Sequence, residues 1–183
     1  MKNNMIVKFP EVSVVFGFDG ITLEESLIFE TIYDEELRMS IDEKQELIDN
    51  GAEFIFLIDS KTKELIGETY FVPLDSFEGL EPDEEQGDEG LEPYFGKNLA
   101  YCYSNTILPK YQGKGYGLLI KMHLLHYLEI NRYSGVMGHA KEGASVSLNT
   151  HKNIKSKIVG EFNNWYGTGK THYLYLKMFK KNK

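Results

Sequence analysis

The residues best placed by type and spacing to do chemistry are Gln112-Gly113-Lys114-Gly115-Tyr116-Gly117, preceded by Lys110 and followed by Leu118. Glycines lack a Cβ, so a backbone carrying three of them in alternation can turn tightly and let a ligand approach its N–H groups. The residues after the loop recur as Leu118, Met122, Leu125 and Leu128, the steps of one helical face. The first turn of a helix leaves its N–H groups without intrahelical partners and carries the positive end of the helix dipole. A glycine loop entering such a turn is a phosphate cradle, and Lys110 and Lys114 add positive charge.

The loop needs a rigid element on each side. Leu99 to Thr106 reads as a strand entering it, and Leu118 to Tyr133 as the helix leaving it. Upstream, Val12 to Phe18 reads as a first strand ending at Asp19-Gly20. Thr22-Leu23-Glu24-Glu25 and Ser40 to Glu43 are capping boxes, which open helices expected to run to about Arg38 and to Asn50. Glu53 to Asp59 and Leu65 to Val72 form a hairpin. Downstream, Gly135 to Ala140 reads as a strand, about Asn153 to Phe162 as a helix, and Tyr173 to Phe179 as a last strand.

Gln112, Gly115 and Gly117 fit the pattern Gln/Arg-x-x-Gly-x-Gly/Ala, and with this order of elements the whole chain resembles the GNAT superfamily of acyl-CoA-dependent N-acyltransferases. The resemblance implies a mixed α/β fold, a twisted, largely antiparallel sheet of six to seven strands flanked by four helices. It implies acetyl-CoA as cosubstrate and a primary amine as acceptor, the amine attacking the thioester directly. Gln112, Gly113, Lys114, Gly115, Tyr116, Gly117 and Leu118 would hold the pyrophosphate, and the backbone of Ile107 and Leu108 the pantetheine arm. Asn153-Ile154-Lys155-Ser156 looks like the family's Asn-x-x-Ser element at the start of the helix after the fifth strand, which would add Asn153 and Ser156 to the cofactor site, with Asn149 a rival. The residues offered as general base are Tyr103, Glu68 and His139. The position that often carries the tyrosine acid falls on Gly160, so His151, Tyr166 or water would stand in; a non-catalytic acyl-CoA-binding or sensor domain is the alternative.

Composition narrows the class. The 183 residues, 42% hydrophobic and 26% charged, read as one globular domain. The net charge of -8 hides an asymmetry: residues 1–96 hold 25 acidic and 6 basic side chains, residues 97–183 hold 3 and 14. A basic half bearing the loop suits a polyanionic cofactor. An acidic half, with Glu24, Glu25, Glu30, Asp34, Glu35 and Glu36 on its first helices, suits a small cationic acceptor such as a polyamine or aminosugar. Asp75 to Lys97, rich in acid, glycine and proline, reads as a surface-loop insertion. The short, interrupted apolar run near Met1 gives no leader or membrane span, hence an expected cytoplasmic location. Cys102 stands alone, a filler in a buried strand, and the five histidines lack metal spacing, so no metal is expected. Gly167-Thr168-Gly169-Lys170-Thr171 imitates the tail of a nucleotide-binding P-loop, but a strand and not a helix follows it. Acidity and the lack of a recognition motif disfavour nucleic acid as partner. A homodimer is a permitted assembly.

Overall fold

The computed structural model describes residues 12–35, 38–76, 91–163 and 169–180. Strands β1 (Val12–Phe16), β2 (Glu53–Asp59), β3 (Leu65–Pro73), β4 (Leu99–Ile107), β5 (Gly135–Lys141), β6 (Lys157–Phe162) and β7 (His172–Met178) form one sheet in the order β1-β2-β3-β4-β5-β7-β6. Every neighbouring pair is antiparallel except β4 with β5. Helices α1 (Leu23–Ser26), α2 (Ile41–Asp49), α3 (Tyr116–Ile130) and α4 (Ser145–Asn153) complete the fold, which is therefore the mixed α/β architecture expected.

Side chains alternate across the strands and build a core on each face. Phe54, Phe56, Tyr70, Val72 and Tyr101 pack with Phe29 on the face covered by α1 and α2. On the other face Ile55, Leu57, Phe71 and Cys102 pack under Ile120, Leu124 and Leu128 of α3. Both capping boxes form: the Thr22 and Ser40 side chains accept from the backbones of Glu25 and Glu43, whose carboxylates accept in return from the cap N–H groups.

Two expectations are corrected, and one segment is seen only at its ends. The first helix was expected to reach about Arg38, but α1 passes into a 3-10 turn over Leu27–Ile32, and Tyr33 is extended because its hydroxyl is bonded to Ser104 and Thr106 on β4. The insertion is anchored at its described ends: Leu74 and Leu91 are buried, and Gly96 N–H donates to Asp75 at 2.8 Å. Residues 77–90 lie outside the described part.

The second correction is the larger. The helix expected over Asn153 to Phe162 is strand β6, paired with β7, and the helix lies earlier, over Ser145–Asn153. Asn153 is thus the last residue of α4, exposed, and not the first of a helix. Lys155 takes a left-handed φ of 57°, with Lys155 N–H donating to Lys152 O and Ser156 N–H to His151 O, both at 3.0 Å. That is a Schellman stop in which a lysine occupies the position usually held by glycine, so the usual sequence signal is missing.

Candidate active site

The loop has the geometry its glycines predict. Gly113 and Gly115 adopt φ of 74° and 84°, Gly115 is the N-cap of α3, and the space a Cβ of Gly113 would enter is open for 4 Å. Gln112, Gly113, Lys114 and Gly115 are exposed, Gly117 and Leu118 are half-buried. The first-turn N–H groups of α3, at Tyr116, Gly117 and Leu118, face outward as helix geometry requires. Two side chains behave differently from the expectation. Tyr116 is buried among the residues under α3, leaving its main chain to the loop. Gln112 Nε2 donates back to Ile107 O at 2.9 Å and so fixes the loop to the end of β4. Lys110 pairs with Glu64 at 3.0 Å, and Lys114 lies over the Tyr111 ring.

Below the loop the sheet opens. β4 and β5 pair only over Leu99–Tyr101 and Gly135–Met137, after which β4 continues to Ile107 without β5, whose other edge stays paired to β7. Leu108 N–H donates to Ile66 O on the β3 side, at 3.0 Å. Main-chain groups alternate along a strand, so those of Ile107 and Asn105 point into the wedge. Tyr103 is the extra residue of a bulge, since Tyr70 stands opposite Ser104 and Phe71 opposite Cys102; bulges increase local twist, which helps part β4 from β5. The Asn105 side chain donates to Gly117 O at 3.3 Å, and its Oδ1 is buried without a hydrogen-bond partner among the described residues.

The three proposed bases sit in different surroundings. Glu68 is buried on β3, both oxygens within 3.2 Å of Lys44 Nζ, which also meets Glu30 at 3.3 Å. Burial pushes its carboxyl up to about 7, Lys44 opposing. Tyr103 is half-buried, stacked on Tyr70, and burial raises its hydroxyl above the usual value. His139 lies on β5 with Nδ1 2.5 Å from the Tyr101 hydroxyl. Burial pulls its imidazole down to about 4, aided by His172 and Lys121. The Tyr101–His139 pair spans β4 and β5 at the apex of the wedge, and sequence reasoning missed Tyr101. Its only signal was its place two residues before Tyr103, on the same face of an ordinary strand.

On the other face of the apex, His151 of α4 is buried and stacked on Tyr175 at 4.1 Å between centroids. Its Nδ1 has no hydrogen-bond partner among the described residues, and burial pulls its imidazole down to about 3. Gly160 lies in β6, not on a helix, so the helical tyrosine position expected there does not exist. Asn153 and Ser156 flank the end of α4, which removes the helix-start premise for placing them in the cofactor site; Tyr166 lies outside the described residues. The described residues hold no group of three metal ligands and no helix long and apolar enough to cross a membrane.

Comparison with known proteins gives the fold a class. No family model and no curated protein sequence matches the chain, but solved structures do. NAA60 of Arabidopsis thaliana, in complex with a bisubstrate analogue, superposes with a TM-score of 0.68 at 16% identity, covering 93% of this chain and 100% of that one. The acetyltransferase yncA of Salmonella typhimurium, with its cofactor acetyl-CoA, gives 0.68 at 11% identity over 94% and 96%. The ribosomal-protein-S18-alanine N-acetyltransferase of Escherichia coli gives 0.65 at 12% over 94% and 98%. This chain has the GNAT fold.

The loop can be tested without disturbing the fold. Gly117 is the second residue of α3, and a Cβ there meets only Ile107, at 3.8 Å. Gly117→Glu should leave the free protein folded, because an acidic side chain suits a helix N-terminus. It should abolish the stabilisation expected of acetyl-CoA in wild type, roughly 2.7 kcal/mol at about 100 times the dissociation constant. Equal stabilisation of both proteins in a thermal melt would sink the loop assignment.

Proposed function

We propose that this protein transfers the acetyl group of acetyl-CoA to a primary amine. The observation that carries the reading is the edge of β4 left unpaired by β5, which runs from the glycine loop to the Tyr101–His139 pair at the wedge apex. The loop N–H groups and the start of α3 would hold the pyrophosphate, and the main chain of Ile107 and Asn105 the pantetheine arm. When bound, acetyl-CoA supplies the activated acyl carbon. The Asn105 N–H would donate to the thioester oxygen as negative charge develops there. His139, kept neutral by burial, accepts the Tyr101 proton at Nδ1, and the tyrosine oxygen takes the proton of the attacking amine. This gives the base role to one of the three residues expected from sequence, His139, acting through Tyr101. Glu68 is committed to Lys44, and Tyr103 shapes the wedge.

The acceptor remains a small cationic amine in this reading, on a weaker footing than composition alone gave. Glu25 is used in the Thr22 cap, and Glu30 is buried against Lys44 and Met39 N–H. Asp34 and Glu35 are exposed beside Tyr33, while Glu36 lies outside the described residues. Among similar structures, NatC is bound to a Gag peptide and CoA, so peptide amino termini belong in the assay. Acetyl-CoA consumption over polyamines, aminosugars and short peptides should select a polyamine or aminosugar. Its kcat/KM should fall when salt rises from 0.1 M to 1 M, as the Debye length contracts from about 10 Å to about 3 Å. A peptide or neutral amine as best acceptor would remove the electrostatic part of the reading, and no turnover with any amine would remove the whole.

A further inference from the structure

Among the described residues two lysines are buried, and only one of them has a carboxylate there. Lys44 lies between Glu30 and Glu68. Lys121, on the inner face of α3 and 4% exposed, has no carboxylate within 4.0 Å among the described residues. Its Nζ instead donates to Cys102 Sγ at 2.9 Å, closer than that sulfur's contacts with Ser104 O at 3.3 Å and Thr69 Oγ1 at 3.6 Å. A buried cation without a counter-charge is costly, and reactive cysteines sit beside Lys, Arg or His in electropositive surroundings. His139 and His151, both near this lysine's field and both held neutral, supply no negative charge.

Cys102 is itself buried, 5% exposed, so an oxidant that reaches it must be as small as peroxide. The cysteine follows Tyr101, the last β4 residue paired with β5, and so begins the wedge. Across from it is Gly138, where a Cβ would lie 3.3 Å from Cys102 O and 3.7 Å from Cys102 Cβ. A side chain at that position would crowd Cys102 from the β5 side.

We propose that Cys102 and Lys121 are a reversible redox pair: hydrogen peroxide oxidises the thiol, and the lysine nitrogen closes on the oxidised sulfur to form a sulfenamide cross-link between β4 and α3. In the first step Sγ attacks one peroxide oxygen, the O–O bond breaks, and Cys102 becomes a sulfenic acid while one water leaves; sulfur loses two electrons and peroxide gains them. Sulfenic acids condense with nearby thiols or nitrogens. In the second step the Lys121 ammonium gives one proton to water, the freed Nζ lone pair forms the N–S bond, the S–OH bond breaks, and the departing hydroxide takes a further proton from nitrogen to leave as water. Thiol, amine and one peroxide thus give the N–S bond and two waters, and a dithiol restores the starting pair by attack on sulfur. The inference stands apart from the acetyltransferase reading, since it needs no cofactor.

The test uses the full-length protein and hydrogen peroxide. Wild type should become lighter by two hydrogen atoms in intact mass, with a peptide containing Cys102 joined to one containing Lys121, and dithiothreitol should reverse both changes. Dimedone, which traps sulfenic acid, should label Cys102 weakly in wild type and strongly in Lys121→Arg, whose guanidinium keeps the charge but is a poor nucleophile. Strong dimedone labelling of wild type, gain of oxygen at Cys102 without joining to Lys121, or no mass change under peroxide that oxidises free cysteine would each overturn the proposal.

Discussion

Tyr101→Phe should lower kcat for amine acetylation by roughly 10²- to 10⁴-fold, the range of positioned proton transfer. The lower figure corresponds to about 2.7 kcal/mol of barrier. The ring of Tyr101 is fully buried, and Phe retains its packing; only the hydroxyl bonded to His139 Nδ1 is lost. The melting behaviour and the affinity for acetyl-CoA should therefore stay near wild type, with no more than about 1 kcal/mol of stability at stake for one hydrogen bond. His139→Gln should show a similar loss, and the double variant little more than either, because the two groups act on one proton. With His139 held near 4, its protonation cannot shape the rate between pH 5 and 8. The rise of kcat/KM with pH there should follow the acceptor amine's own ionisation. A Tyr101→Phe enzyme with wild-type kcat would transfer the base role elsewhere, to water or another side chain.

Lys44→Met should destabilise the fold by about 3–5 kcal/mol at neutral pH, since removing one partner of a buried ion pair strands the other charges. Lys44 is wholly buried, with Glu68 at 3.0 Å and Glu30 at 3.3 Å, both carboxylates buried as well. The pH dependence follows from Glu68, whose carboxyl is raised from 4.5 to about 7. Between those values the folded protein retains a proton that the unfolded chain has released, so this group's contribution declines as pH rises through that window. Without Lys44 the carboxyl rises further, so the deficit of the variant should be smaller at pH 5 than at pH 8. Urea unfolding at the two pH values measures this, and adding Glu68→Gln to the variant should recover part of the loss. An equal deficit at both pH values would show that methionine packing, not charge, sets the effect.

Local chemistry made much of this protein legible from its residues. The capping boxes at Thr22 and Ser40, the β2–β3 hairpin, and the strand, glycine loop and helix around Gly115 each depend on contacts within a few residues, and all formed, although the helix buries Ile120, Leu124 and Leu128 and leaves Met122 exposed. What failed locally was α4, because Lys155 takes the left-handed stop that glycine usually signals, and because the β-rich run Lys157–Phe162 becomes a strand only when β7 pairs with it. The candidate site is a matter of register. Tyr101 meets His139 because β4 and β5 run parallel for three residues and then part, and a pairing across 38 residues of chain leaves no trace in spacing. Glu68 looked like a base as a strand carboxylate, but its partner Lys44 comes from α2, across the face of the sheet. Sequence determined most of the elements, among them the strand, glycine loop and helix proposed to hold a phosphate, since those follow from side-chain and backbone propensities over one or two turns. Only the tertiary structure decided which titratable groups meet, because strand pairing and helix packing join residues that propensity treats as unrelated.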